Sequence, residues 1–166
     1  IELTSQEFID QVNDINIAVV GKTGNLVYAD KVIYGLRDVT ATVDSKPLIA
    51  ASVMSKKLAG GADCVLLDVK YGEGAFMKTV EDASELAKTM IHIGESLGRR
   101  VNAMITNMNQ PLGHAIGNAL EVNEAILTLQ NKGPKDLEEL CLIASAYMLY
   151  HGELAESVEA GYELAL

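Results

Sequence analysis

Apolar residues at Phe8, Ile9 and Val12, behind the candidate N-caps Thr4 and Ser5, predict a short amphipathic helix over residues 3–14. The apolar run Ile15–Val20 ends in Gly-Lys-Thr-Gly-Asn, which predicts a strand and a loop. From residue 29 to 43 the spacing of Val32, Ile33, Leu36, Val39 and Val43 is helical. Asp44-Ser45 followed by Pro47 predicts a second helix start, because proline fits the first turn. That helix runs to about Ala59 and stops at Gly60-Gly61. The stretch CVLLDVK, Cys64 to Lys70, is apolar almost without alternation, the pattern of a strand buried on both faces of a parallel sheet. A glycine-punctuated loop, Tyr71-Gly-Glu-Gly74, leads to a helix over about 80–97 and a second such strand, Arg100–Thr106. A loop over 107–117 precedes helices that fill most of 118–166, with breaks at Gly133-Pro134 and Gly152. Strand, helix, strand, helix predicts an α/β fold, with a parallel or mixed sheet and flanking helices. Glycines on both sides of 29–59, at Gly21, Gly24, Gly60 and Gly61, suit an inserted two-helix lobe on hinges. They suit plain element ends equally, and turn-residue rules alone favour that reading.

The chain has 166 residues, 13 Lys plus Arg against 23 Asp plus Glu, and a net charge of −10. One domain with a small second lobe fits that length. The acidic balance argues against nucleic-acid or anionic-membrane binding, which needs clustered Lys and Arg. No apolar run approaches the roughly 20 residues of a membrane span. The opening Ile1-Glu2-Leu3-Thr4 has neither an initiator Met nor a signal pattern, and reads as an interior cut. Cys64 and Cys141 stand in apolar stretches without metal-ligand spacing, so both are expected to be buried, reduced thiols.

Spacing alone offers limited chemistry. Val20-Gly21-Lys22-Thr23 ends like a phosphate-binding loop, but Asn16 stands where that pattern needs its first glycine. Lys70-Tyr-Gly-Glu-Gly74 lacks the third glycine of a dinucleotide fingerprint, and Glu73 puts a carboxylate where pyrophosphate would lie. Arg37 by default is a solvated cation paired to Asp38 or Asp44. Ser52 and Lys56, four apart, set a hydroxyl and an ammonium on one helix face. His92, His114 and His151 share no ligand spacing, and no nucleophile elbow supports a triad. The residues alone thus offer a cation-and-hydroxyl cluster on two helices beside a glycine loop, without choosing a reaction.

Two longer motifs choose one. YADKVIYGLRDVTATVDSKPLIAASVMSKKLAGGADCVLLDVKYGEGAFMKT, within residues 28–80, resembles the central block of the pyrimidine-nucleoside and thymidine phosphorylase family. ITNMNQPLGHAIGNALEVNEA, within 105–126, resembles a second block of that family. The resemblance implies phosphorolysis of a pyrimidine nucleoside to free base and pentose 1-phosphate, by a cytoplasmic enzyme that is a homodimer at full length. It implies a small helical lobe containing 29–59, hinged on an α/β domain made of 1–28 and 60–166. Arg37 and Lys56 are then the catalytic cations, completing a base site with Ser52, and Val43, Ile49, Val53 and Phe76 surround the base. No organic cofactor is implied. A potassium-type ion is implied at the carbonyls of Leu112 and Ala115 and the carboxylate of Glu124.

The family's phosphate loop falls upstream of residue 1 in this alignment of motifs. Gly35 stands where Ala is common, Lys46 where an apolar residue is usual, and Tyr71 and Glu73 where small residues are found. A carboxylate at Glu73 is positioned to pair with Lys56 or to repel phosphate. The competing readings are a non-catalytic binding or assembly module of the same fold, and an enzyme resembling anthranilate phosphoribosyltransferase.

Overall fold

The computed structural model describes residues 3–19 and 27–166. Among these described residues, seven helices and two strands follow in the order α1 (Ser5–Ile15), α2 (Tyr28–Val39), α3 (Lys46–Ala59), β1 (Cys64–Tyr71), α4 (Val80–Ser96), β2 (Arg100–Asn107), α5 (Asn118–Leu129), α6 (Lys135–His151) and α7 (Val158–Ala165). The fold is α/β, with a parallel two-stranded sheet in which Cys64 pairs with Arg100 and Tyr71 with Asn107. No described helix is long and apolar enough to cross a membrane.

The helix starts follow local chemistry. Thr4 caps α1 in a capping box with Glu7, Thr79 caps α4 through the Asp82 N–H, and Ser157 caps α7 through that of Ala160. Pro47 sits in the first turn of α3. One expectation fails at the strand over Ile15–Val20: α1 runs through Ile15, and 16–19 have no regular structure. Asn16 takes the left-handed conformation that ends α1, so the chain leaves the helix by a tight turn rather than entering a ladder. Val20 and the Gly21-Lys22-Thr23 motif lie outside the described residues. The helix predicted over 29–43 also ends earlier than its spacing suggests, at Val39, because a turn with Ala41 at φ 55° separates α2 from α3.

The core lies between one face of the sheet and two helices. Val65, Leu67 and Val69 of β1 and Val101 of β2 bury against Leu86, Ala87 and Met90 of α4 and against Ala50 and Met54 of α3. Gly94 permits this closeness: a Cβ there would lie 2.1 Å from Val101 Cγ2. The prediction that β1 is buried on both faces is corrected. Asp68 is exposed and Cys64, Leu66 and Lys70 are only half-buried, since α3 and α4 cover the alternate residues. Cys141 is likewise exposed rather than buried, and Cys64 is intermediate; both are free thiols. On α2 only Arg37 is buried, while Val32, Ile33, Leu36 and Val39 are exposed.

Lys46 ties the start of α3 to α4, donating to Asp82 at 2.7 Å and to Glu85. Hydrogen bonds from Lys46 and then Thr79 hold the Asp82 carboxyl below its ordinary 3.8. Bonds to Asp82 and Glu85 raise Lys46 above its ordinary 10.5. The Asp82 contribution is therefore complete above 3.8 and fades as pH falls through its lowered folded value. The Lys46 contribution is complete below 10.5 and fades as pH rises through its raised folded value. Denaturation of wild type against Lys46→Met should show a modest wild-type advantage at neutral pH that shrinks below 3.8 and with added salt. An advantage that persists unchanged to pH 2 would rule out an electrostatic origin.

Candidate functional site

Arg37, in the last turn of α2, does not take the default carboxylate partner. It is 3% exposed, and its guanidinium reaches across the α2–α3 turn. Nε donates to the Thr42 carbonyl at 3.3 Å, Nη1 to that of Leu48 at 3.3 Å, and Nη2 to that of Val43. The Tyr34 ring lies 5.4 Å from the guanidinium carbon. A planar fork is the side chain that can hold three carbonyls on a turn at once. Among the described residues, three of its five N–H donors are thus committed to these carbonyls.

Ser52 and Lys56 stand one turn apart on α3, as the spacing requires. The Lys56 ammonium donates to the Ser52 hydroxyl at 2.8 Å and to the Ser52 carbonyl at 2.9 Å. Its third partner is Asp30 on α2, at 2.6 Å, a carboxylate side chain only 11% exposed. Burial alone would raise the Asp30 carboxyl. Hydrogen bonds from Lys56 and Ser52, with the charges of Lys56 and Arg37, outweigh burial and hold it below the usual aspartate value. Sequence reasoning did not single out Asp30. Its signal was present: an acidic residue seven positions, about two helical turns, before Arg37 on the same face of α2.

A cleft of about 600 Å³ opens at the carboxyl end of β1, and Arg37, Ser52 and Lys56 are not among its lining residues. Ile49, Val53 and Phe76 line it with Met77, Met108 and Lys70. That is the size of a small-molecule site, and the lining is mostly apolar with a few polar groups. Ile49 and Val53 share a helix face with Ser52 and Lys56, at helical spacings of three, four and seven. Val43 is not in that lining; it meets Arg37 through its carbonyl. Phe76 is 62% exposed at the rim. Glu73 makes no ion pair with Lys56, whose carboxylate partner is Asp30. The Glu73 backbone N–H instead donates to Asn109, and its carbonyl accepts from Lys78, which shape the loop over 71–79.

The second motif forms a separate structure. Glu124 on α5 accepts the backbone N–H groups of His114 and Ala115, each at 3.0 Å, and Asp136 on α6 accepts that of Gly113 at 3.0 Å. Gly113 has φ +71°, and a Cβ there would lie 2.3 Å from Glu124 Oε2. Glycine is therefore required for the loop to wrap the carboxylate. Among the described residues no three His, Cys, Asp or Glu side chains converge on a metal position. Any ion here would depend on carbonyl oxygens beside the Glu124 carboxylate.

The family model described as "Glycosyl transferase family, a/b domain" matches residues 1–166, the whole chain. The chain belongs to this glycosyl transferase family. Among its relatives, the pyrimidine-nucleoside phosphorylase of Geobacillus stearothermophilus is 60% identical over 159 residues, 96% of this chain and 37% of the relative. That of Bacillus subtilis (strain 168) is 57% identical over the same share of each chain. That of Staphylococcus epidermidis (strain ATCC 12228 / FDA PCI 1200) is 53% identical over 166 residues, 100% of this chain and 38% of the relative. This glycosyl transferase chain therefore spans a little over a third of the length of the relatives it matches.

Proposed function

We propose that residues 1–166 are the base-binding part of a pyrimidine-nucleoside phosphorylase, which cleaves the nucleoside with phosphate to free base and pentose 1-phosphate. The observation that carries this reading is the cluster of Ser52 and Lys56 on α3, the helix whose Ile49 and Val53 line the cleft, in a chain 60% identical over 159 residues to a relative of that name. Residues 29–59 belong to the small helical lobe, and 1–28 and 60–166 to the α/β domain. The exposed apolar stripe on α2 supports further helix contacts and a homodimer at full length. The enzyme works in the cytoplasm.

The mechanism follows from where charge develops. As the glycosidic bond breaks, the sugar becomes cationic and the departing pyrimidine gains negative charge on its carbonyl oxygens and ring nitrogens. Fixed positive groups at those atoms stabilise the transition state more than the neutral ground state. Lys56 supplies a point charge and Arg37 a rigid fork held by the α2–α3 turn. Ser52 meets the N3 edge of the ring, and the apolar lining of the cleft excludes water from the leaving base. Phosphate attacks the sugar from the opposite side.

The oxygen-only donor set of Leu112, Ala115 and Glu124 fits a hard monovalent cation. Potassium there would tie the loop over 112–115 to α5, a structural role. With one Glu124 oxygen already accepting two N–H groups, potassium should bind this chain only weakly. Calorimetry that returns a tight site would contradict that.

The functional test is release of uracil or thymine from uridine or thymidine, dependent on phosphate. A chain of the relatives' full length carrying residues 1–166 should show it, and the 166-residue chain alone should not, because orienting phosphate is a large part of the rate enhancement. No turnover by the full-length form would overturn the reading.

A further inference from the structure

Helices α3 and α4 lie side by side and are joined differently at their two ends. Toward their carboxyl ends, Gly94 of α4 is buried, and a Cβ there would lie 3.1 Å from Met54 Cε and 2.1 Å from Val101 Cγ2. Met54 is itself fully buried. A close-packed contact of this kind has no room to shift, so it acts as a pivot for α3. At the other end Lys46, the first residue of α3, donates to Asp82 at 2.7 Å and to Glu85. Among the described residues these are the side-chain hydrogen bonds that join α3 to α4, and all three side chains are partly exposed. A cation in the first turn faces the positive end of the helix dipole, so Lys46 gains nothing from α3 itself.

The cleft lies between these helices and the sheet. One wall is α3, through Ile49 and Val53, and the other is β1 and α4, through Leu67, Val69, Leu86 and Met90. Distance from the pivot therefore decides how far each residue of α3 moves when the helix tilts. Lys46 lies eight residues from Met54, about 12 Å along the helix. A tilt of about 10° lifts that end by about 2 Å, enough to break the 2.7 Å bond to Asp82. The same tilt shifts Ile49 by about 1.3 Å, but Lys56, two residues beyond the pivot, by only about 0.5 Å. Arg37 moves with the wall, since its Nη1 donates to the Leu48 carbonyl.

We propose that Lys46 is a positioning residue for the base site: its bonds to Asp82 and Glu85 latch the free end of α3 and seat the Ile49–Val53 wall of the cleft against α4. This rests on the base-site reading above. The latch acts on binding, because apparent affinity scales with the fraction of molecules whose wall is already seated. Saturating nucleoside seats the wall with or without the latch, and Lys56 stays near the pivot, so the chemical step changes little. Lys46 itself touches no substrate atom; it acts through Ile49 and Val53.

The test is KM for uridine against kcat, at saturating phosphate, in a chain of the relatives' full length carrying this segment. Lys46→Met should raise KM by about three- to fivefold, the range that exposed ion pairs supply, with kcat within about twofold. Lys46→Arg should keep the wild-type KM. Asp82→Asn with Glu85→Gln should raise KM by the same factor, and Lys46→Met added to them should raise it no further. Added salt should bring the wild-type KM up to that of Lys46→Met, because the bonds are partly exposed. A merely structural Lys46 would lower the melting temperature and leave KM unchanged in the folded variant. That result, or a gap in KM that salt does not close, would overturn the proposal. Absence of uridine phosphorolysis in wild type would instead remove the base-site reading, and the latch is then read without activity, in the 166-residue chain. With Cys64→Ala and Cys141→Ser, spin labels at the exposed positions 44 and 88 should separate or broaden in Lys46→Met, and a pair at 57 and 95, beside the pivot, should not change. Unchanged distances at 44 and 88 would overturn the latch.

Discussion

Lys56→Met, in a chain of the relatives' full length, is expected to lower kcat by about 100- to 1,000-fold, or roughly 3–4 kcal/mol, the usual cost of losing one electrostatic donor to the transition state. Methionine keeps the packing of the aliphatic stem and removes the charge. Because that charge matters most as the base departs, the loss should fall on kcat and not only on KM. Lys57 lies about 100° further round α3 and is exposed, so Lys57→Met should change turnover far less. It controls for a general loss of positive charge. Lys56→Met also leaves the Asp30 carboxylate without its 2.6 Å partner, so stability must be measured beside the kinetics. Equal effects at 56 and 57, or a folded Lys56→Met variant with normal kcat, would remove Lys56 from the site.

Arg37→Met should destabilise the chain by about 3 kcal/mol or more, since hydrogen bonds to a charged donor contribute about 1.5–3 kcal/mol each and the carbonyls of Thr42, Val43 and Leu48 lose theirs together. Arg37→Lys should recover only part of this, because a single ammonium cannot reach three carbonyls in the geometry of a planar fork. Urea denaturation of the 166-residue variants measures both. A loss below about 1 kcal/mol for Arg37→Met would mean that the turn is held by other contacts. The variant also separates two roles. If Arg37 only braces the turn, Arg37→Lys should lose stability and activity in proportion. If it also meets the base, activity should fall well beyond the stability loss.

These two residues show how differently sequence and structure contribute. The helix face that joins Ser52 to Lys56 is a matter of spacing along one element, so it could be read directly. The same is true of Pro47 opening α3, of the apolar runs of β1 and β2, and of the motifs that resemble the phosphorylase family. Each rests on short-range periodicity or on a contiguous string of residues. The strand predicted over Ile15–Val20 failed for the same reason in reverse. Its apolar run was too short to distinguish a helix end from a ladder, and the left-handed turn at Asn16 decided it.

What only the tertiary structure decided is which partners meet across elements. Arg37 looked like a solvated cation beside Asp38 and Asp44, yet the fold buries it and points it at three backbone carbonyls, which no side-chain pattern can reveal. Asp30 and Lys56 are 26 positions apart, so their pairing depends on how α2 returns against α3. Lys46, an apparent misfit at an apolar position, meets Asp82 and Glu85 because α3 and α4 lie side by side over the same sheet face. Periodicity along a chain reports which face of an element is apolar. It does not report which element arrives opposite that face, because that is set by the packing of distant segments and by the burial free energy they share.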